Sequence, residues 1–304
     1  MRFQRDVLID ELYELARRDK DIYFLSADFG APSLDRFRED LADQFLHVGI
    51  SEQNMKDMAA GMALSGKKVY VYAMGPFITL RCLEQLKCSL AQMNLPVTVI
   101  SVGLGLGYAD AGPTHYATED LACLRSIVNC EVYTPSDTST VVMLARLTSQ
   151  KPAFRVLRLD RNGMERLYEN DVSIERGVHE IHSGERVAVF SCGYVLQRMW
   201  MNWAAMCDGA NIGLVDVFCN KPINLEGIKP LLEKYESIIT VEEQCLTGGF
   251  GSAILEAISD LGMNNPVKRL GLAERYYFEN GGRDRILDMF GLSTDAVSAM
   301  IRAC

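Results

Sequence analysis

The chain has 304 residues, of which 48% are hydrophobic and 23% charged, with a formal net charge of −9. That length suits two domains with a buried core, and the composition excludes a disordered, collagen-like or coiled-coil chain. The acidic balance argues against a nucleic-acid partner, though not against a small phosphorylated ligand that needs only a few local cations.

Residues 6–18 read as a helix with Val7, Leu8, Leu12 and Leu15 on one stripe. Short β-branched runs follow at YFLSAD (23–28) and FLHVGI (45–50). Between 51 and 64 the spacing predicts a helix with Met55, Met58, Ala59, Met62 and Ala63 on its apolar face and Ser51 as its cap. Further strands are expected at KVYVYA (68–73), VTVISVG (97–103), CEVYTP (130–135) and FRVLRL (154–159). Near-continuous apolar strands suit a parallel sheet covered on both faces. Residues 161–185 are polar, carry Gly163, Gly177 and Gly184, and read as a crossover between domains. A second series then begins: strands RVAVFSCG (186–193), IGLVDVF (212–218), SIITVEE (237–243) and VKRLGL (267–272). Helices are expected at 195–207, 225–235, 250–261 and 283–290, with one more closing the chain. The alternation predicts two doubly wound, three-layer α/β domains, mostly parallel in their sheets. Their expected spans are 1–165 and 186–304, the second smaller, with 166–185 as linker.

No stretch approaches the ~20 apolar residues of a membrane helix. The start, MRFQRDVLIDEL, is charged at Arg2, Arg5, Asp6 and Asp10 and has no apolar signal core, so a cytoplasmic location is expected. The nine cysteines lack CxxC spacing even at Cys82/Cys88 and Cys123/Cys130, and read as buried reduced thiols.

Ligands of open parallel sheets bind at the carboxyl ends of strands, so the strand-to-helix turns come first. In His47-Val48-Gly49-Ile50-Ser51-Glu52-Gln53, Glu52 opens a helix. It is either a carboxylate favoured by the helix dipole or a buried acid for proton transfer. The run from Val102 to His115 alternates Gly103, Gly105 and Gly107 before a Pro-Thr-His turn. It matches neither GxGxxG nor GxxxxGK[ST], and reads as a long loop at a strand end. In Pro76-Phe77-Ile78-Thr79-Leu80-Arg81, Phe77 is either core or, with Arg81, a platform for a planar ring.

Together the runs HVGISEQNMKDMAAGMALSG, GPFITLRCLEQL and GPTHYATEDLACLRSIVNCEVYTPSD resemble the pyrimidine-binding domain of transketolase-like thiamine diphosphate enzymes. TVEEQCLTGGFGSAI and GLAERYYFENGGRDRILDMFGL resemble the C-terminal domain of the same family. The resemblance spans essentially the whole chain, in order and spacing. It implies that Glu52 hydrogen-bonds a ring nitrogen of the cofactor's aminopyrimidine, which promotes loss of the thiazolium proton. It places Phe77 in the segment that stacks on that ring, with Arg81 and Gln53 beside the cofactor. His115, in GPTH, matches the family histidine at the reacting carbonyl, and His47 lines the same mouth. Arg161 matches a family arginine that binds the sugar phosphate, and Arg2 and Ser33 fall near two other phosphate contacts. A guanidinium suits a phosphate because it donates two parallel hydrogen bonds. One departure is notable. The family usually carries Asp just before the Gly of GxTH, whereas here that position is Ala111 and the acid is Asp110.

The family's diphosphate- and magnesium-binding signature is Gly-Asp-Gly followed by Asn-Asn. This chain has no Gly-Asp-Gly, and its Asn264-Asn265 lies in the second domain. The resemblance therefore implies the C-terminal subunit of a split enzyme. An N-terminal transketolase subunit would hold the diphosphate and Mg2+, and two copies of each chain would form a heterotetramer. The reaction expected is transfer of a two-carbon ketol unit from a ketose, phosphorylated or modified, to an aldose. Other readings are a 1-deoxyxylulose-5-phosphate synthase-like enzyme, a 2-oxoacid dehydrogenase beta-type subunit, a non-catalytic scaffold and a free-standing nucleotide module.

Overall fold

The computed structural model describes residues 2–27, 31–168 and 172–303. Period-two alternation decides how its strands are covered. In the strand Lys68–Met74, Val69, Val71 and Ala73 face one core while Tyr70 and Tyr72 face the other, each at most 1% exposed. A strand that is apolar on both faces belongs inside a sheet covered twice.

The first strands are β1 (Arg2–Phe3), β2 (Ile22–Ser26), β3 (Phe45–His47), β4 (Lys68–Met74), β5 (Val97–Val102), β6 (Glu131–Tyr133) and β7 (Arg155–Leu159). β2 to β7 form one parallel sheet in the order β6-β7-β5-β4-β2-β3. Helices Gln4–Arg18 and Thr138–Gln150 cover one face, burying Leu8, Leu12, Val141 and Leu144 against Phe24, Tyr72, Ile100 and Leu157. Helix Glu52–Leu64 covers the other with Met55, Ala59 and Ala63. Each fully buried Leu or Phe contributes about 1.5–3 kcal/mol.

Several boundaries differ from the sequence reading for physical reasons. The first helix already includes Gln4, whose buried amide donates to Pro135 O at 2.8 Å and accepts from Asp160 N at 2.8 Å. A polar residue held by main-chain groups is invisible to an apolar stripe. Ser51 stands at the N-cap position of its helix, but its Oγ donates back to Val48 O at 2.8 Å and does not cap. Asp28, the last residue of YFLSAD, lies outside the described residues.

The segment expected to be a plain crossover carries two strands. β8 (Gly163–Met164) pairs antiparallel with β1, and β9 (His179–His182) is an edge strand of the second sheet. Half-solvated antiparallel edges tolerate polar sequences such as His-Glu-Ile-His, so no apolar run announces them. Beyond it lie β10 (Val187–Ser191), β11 (Gly213–Asp216), β12 (Cys219–Lys221), β13 (Ser237–Cys245) and β14 (Val267–Leu272). The second sheet runs β14-β13-β10-β11-β9, parallel except at β9. β12 leaves it and pairs antiparallel with β6, as a seventh strand of the first sheet. The helix expected over 195–207 divides at Asn202 into Gly193–Met201 and Trp203–Cys207. The second domain's other helices among the described residues are Leu225–Lys234, Phe250–Asp260, Arg283–Met289 and Thr294–Arg302.

One apolar cluster runs through both domains, joining Val71 and Val99 to Phe190, Val215, Phe250 and Ile254. The second sheet thus packs on the first rather than hanging from a tether. Among the described residues, no helix is long and apolar enough to cross a membrane.

Candidate active site

Because β3, β4, β5 and β7 run parallel, the segments that follow them leave the same edge of the sheet. After β3 comes Glu52, the first residue of its helix and only 3% exposed. Arg81, after the turn that follows β4, donates from Nη1 to Glu52 Oε2 at 3.1 Å. The same guanidinium lies 4.2 Å from the Phe77 ring centroid. Gln53 reaches the site's rim, where its Nε2 donates to Arg81 O at 3.3 Å. Phe77 is half-buried rather than core, and its ring meets His115 edge-on, with centroids 5.1 Å apart at 72°.

The loop after β5 carries the next members. Gly103 has φ +97°, and a Cβ there would stand 2.1 Å from a carbon of the Tyr108 ring. Only glycine lets the backbone turn so closely under that ring. Tyr108 then faces His115, with centroids 6.4 Å apart, and carries the Arg161 guanidinium 4.6 Å over its ring. His115 Nδ1 shares a 2.9 Å hydrogen bond with Thr114 Oγ1. One continuous series of contacts therefore runs Glu52, Arg81, Phe77, His115, Tyr108, Arg161.

Sequence reasoning missed one member of this series, Tyr108, and two neighbours of it, Arg5 and Lys56. Arg5 is half-buried on the first helix, and its charge, with that of Arg161, pulls the Tyr108 phenol down against the upward push of burial. In the sequence Tyr108 itself is one more residue of a glycine-rich loop. Lys56, one turn after Glu52, is fully buried and donates from Nζ to Glu52 O at 3.4 Å. It also bonds the Cys82 thiol, whose Sγ donates to Phe77 O at 3.2 Å. Burial pushes the Lys56 amine down to about 8. The signal for Lys56 was its place on an apolar helix face, four residues after Glu52.

The other expected site residues lie differently. His47 is exposed at the end of β3. Asp110 is exposed on the helical turn Ala109–Ala111. Ser33 donates from Oγ to Asp6 Oδ1 at 2.9 Å, and Asp6 also takes Arg5 Nε at 3.0 Å. Ser33 thus reaches the site's margin through Asp6 and Arg5. Arg2 turns away, pairs with Asp10 at 3.1 Å, and lines a separate cleft with Thr138, Arg146 and Arg166. The cysteines are free among the described residues, but Cys88 is exposed and Cys123, Cys192 and Cys245 are only partly covered.

Residues 4–165 match the family "Transketolase, pyrimidine binding domain" and residues 177–297 match "Transketolase, C-terminal domain". The second match takes in β9, within the segment expected to be linker. The chain is similar to an apulose-4-phosphate transketolase subunit of Phocaeicola vulgatus, 30% identical over 96% of this chain and 94% of that protein. It is also similar to a putative transketolase C-terminal section of Methanocaldococcus jannaschii, 27% identical over 96% and 93%. A 1-deoxy-D-xylulose-5-phosphate synthase of Gloeobacter violaceus is 30% identical over 97% of this chain, which spans only 47% of that protein. In fold it resembles a solved "Split gene transketolase, inactive beta4 tetramer", with a TM-score of 0.86, 24% identity and coverage of 99% of this chain and 97% of that one. With both domains matched in order, the chain belongs to the transketolase family and has the make-up of its pyrimidine-binding and C-terminal domains.

Proposed function

We propose that this chain is the C-terminal subunit of a split, thiamine diphosphate-dependent enzyme that transfers a two-carbon ketol unit from a ketose, phosphorylated or modified, to an aldose. The observation that carries the proposal is the contact between a buried carboxylate, a flat cation and a half-covered aromatic ring at Glu52, Arg81 and Phe77. The Arg81 guanidinium is a planar donor that both pairs with the carboxylate and lies over the ring. It is a stand-in for the kind of group an aminopyrimidine is, so the residues fit that half of the cofactor.

When bound, thiamine diphosphate supplies the carbanion chemistry, and the protein supplies position and charge. With the cofactor bound, Glu52, only 3% exposed, would hydrogen-bond the pyrimidine ring nitrogen and hold that ring for proton transfer. Phe77 offers its ring face for stacking. His115, set edge-on to Phe77 by its own packing, donates to the oxygen at the reacting carbonyl. Arg161 takes the donor's phosphate, with Arg5 and Ser33 at its margin. Asp110 is exposed near the loop turn where the family's hydroxyl contact falls.

Two features support an N-terminal partner carrying Gly-Asp-Gly and Asn-Asn, with the diphosphate and Mg2+. The sequence has no Gly-Asp-Gly. Its Asn265 is committed elsewhere: Nδ2 donates to Leu232 O at 2.8 Å and Tyr235 O at 2.7 Å, tying off the helix Leu225–Lys234. The Phocaeicola transketolase subunit and the Methanocaldococcus C-terminal section are matched over nearly their whole length, unlike the synthase. That favours the two-chain reading, assembled as a heterotetramer in the cytoplasm, over a synthase-like one.

The test is reconstitution. The chain, an N-terminal subunit with the missing motifs, thiamine diphosphate and Mg2+ are combined with a panel of ketose and aldehyde pairs. Turnover is expected only with both chains present. A complex that forms yet never transfers a ketol unit, or a chain that binds nucleotide unaided, overturns the proposal.

A further inference from the structure

We infer that Arg283, in the second domain, is a positioning residue that sets Arg161 and the His115 loop at the mouth of the site. The inference rests on the roles proposed above for those two residues.

Arg283 opens a helix far from β5 and β7 in sequence, yet its side chain is 5% exposed and touches the segments that follow both strands. Its Nη1 donates to Asp160 Oδ1 at 3.0 Å and lies 2.8 Å from Oδ2. Its Nε donates to Glu243 Oε1 at 2.7 Å and its Nη2 to Glu243 Oε2 at 2.5 Å. Nη2 also reaches Leu104 O at 3.4 Å. The Tyr194 ring covers the guanidinium from 3.7 Å. One planar fork thus joins the end of β7, the start of the loop after β5, and β13 of the second sheet. A lysine has no such geometry.

What those partners hold matters for the site. Asp160 directly precedes Arg161, and its Oδ1 also accepts Asn162 N at 2.7 Å, so the carboxylate fixes the turn that presents Arg161. Glu243 Oε1 accepts Leu106 N at 3.0 Å, two residues before Tyr108. A Cβ on Gly105 would meet Glu243 at 2.5 Å, so the loop backbone lies directly on that side chain. The far stem of the loop is held too. Gln244 Nε2 donates to Ala117 O at 2.9 Å, and Cys245 N donates to Thr118 O at 2.9 Å. Between the stems, Leu106, Ala109 and Tyr116 are buried in the second domain's own cluster with Val189, Val241 and Leu272. The loop that carries Tyr108 and His115 therefore has its apolar side in one domain and its reactive side facing the other. Without the cation, two buried carboxylates from different domains would face one another.

Hydrogen exchange on the purified chain tests the loop independently of any activity. Arg283→Met is expected to speed exchange at the Gly105, Leu106 and Ala117 amides about tenfold or more, with β4 and β5 unchanged and Arg283→Lys recovering part of the protection. Unchanged loop amides, or equal acceleration everywhere, overturns the inference. In the assembled complex, Arg283→Met should raise KM for a phosphorylated ketose about tenfold more than for the same ketose without phosphate. An equal rise for both overturns it. If the wild-type complex transfers no ketol unit, the proposed function fails, while the exchange data still decide whether Arg283 holds the loop. If Arg283→Met does not fold, Glu243→Gln, which keeps the Arg283–Asp160 pair, is measured in its place and must loosen Leu106 selectively.

Discussion

The Arg81 guanidinium donates to the Glu52 carboxylate at 3.1 Å while lying 4.2 Å from the centre of the Phe77 ring. The two residues are unequally covered: Glu52 is 3% exposed and Arg81 43%. The half-exposed Arg81 guanidinium can be rehydrated if it moves, whereas the buried Glu52 carboxylate, fixed by its helix, would then need another donor in its place. The carboxylate is the permanent feature and the arginine the movable one.

Glu52→Gln keeps the size and the Arg81 contact but removes the exchangeable proton. The complex is expected to assemble and to bind thiamine diphosphate, yet to lose turnover by about 10²–10⁴-fold, the usual contribution of a positioned acid or base. Steady-state kinetics on the reconstituted complex measure this. Full turnover would favour the non-catalytic scaffold reading instead.

Phe77→Leu removes the aromatic face but leaves an apolar side chain in the half-buried turn. Stacking beyond simple burial is about 0.5–1.5 kcal/mol, so half-saturation by thiamine diphosphate should rise about threefold to tenfold with kcat little changed. An unchanged half-saturation would mean that another side chain forms the platform. The same substitution frees the His115 edge, so a parallel fall in kcat would show that Phe77 also orients His115.

The fold was legible wherever strands are apolar on both faces. Val97–Val102 has all six residues buried, and a β-branched run of that kind suits the inside of a sheet covered on both faces. It was illegible at edges. His179–His182 and Cys219–Lys221 are short, antiparallel and partly polar, and their pairing depends on partners distant in sequence. The site follows the same division. Glu52, Phe77 and His115 sit in local motifs, so their grouping could be expected from a resemblance. Lys56 is marked only by its spacing from Glu52, and Arg283 and Arg5 act through contacts across the fold that nothing in their neighbouring residues announces. Arg2 shows the converse: the right residue type in the right stretch, turned outward by a partner at Asp10.

Lys56 is a fully buried amine with only a main-chain carbonyl and a thiol as partners, and no carboxylate pairs with it among the described residues. Its value is depressed from 10.5 to about 8 by burial. In the folded state the amine therefore binds a proton less readily than in the unfolded chain. That costs stability at every pH below about 8, and the cost fades as pH rises from there toward 10.5. Lys56→Met is expected to stabilise the chain by about 2–3 kcal/mol at pH 7, with the gain shrinking at pH 9–10. Denaturant unfolding at several pH values measures it. Because Lys56 stands one turn behind Glu52 and donates to its carbonyl, the more stable variant is expected to be the less active one.

Asp216 gives the opposite dependence. It ends β11 fully buried, with Oδ1 accepting Ser136 Oγ at 2.8 Å and Oδ2 accepting Tyr168 OH at 2.5 Å. Ser136 in turn accepts Gly193 N at 2.7 Å, so this cluster joins the segment after β6 to the start of a second-domain helix. Burial pushes the carboxyl from 3.8 up to about 7, outweighing both hydroxyl donors. The folded state then holds the proton more tightly than the unfolded chain. Its contribution is fully present below about pH 4 and is lost as pH rises through 7. Asp216→Asn removes that dependence while keeping an acceptor for one hydroxyl. The variant is expected to gain on the wild type by a few kcal/mol between pH 4 and pH 7, at about 1.4 kcal/mol per pH unit across the interval. Paired urea unfolding curves across that range measure the difference. A constant offset between the two proteins would mean that Asp216 is ionised throughout and that the interdomain cluster holds its charge without a proton.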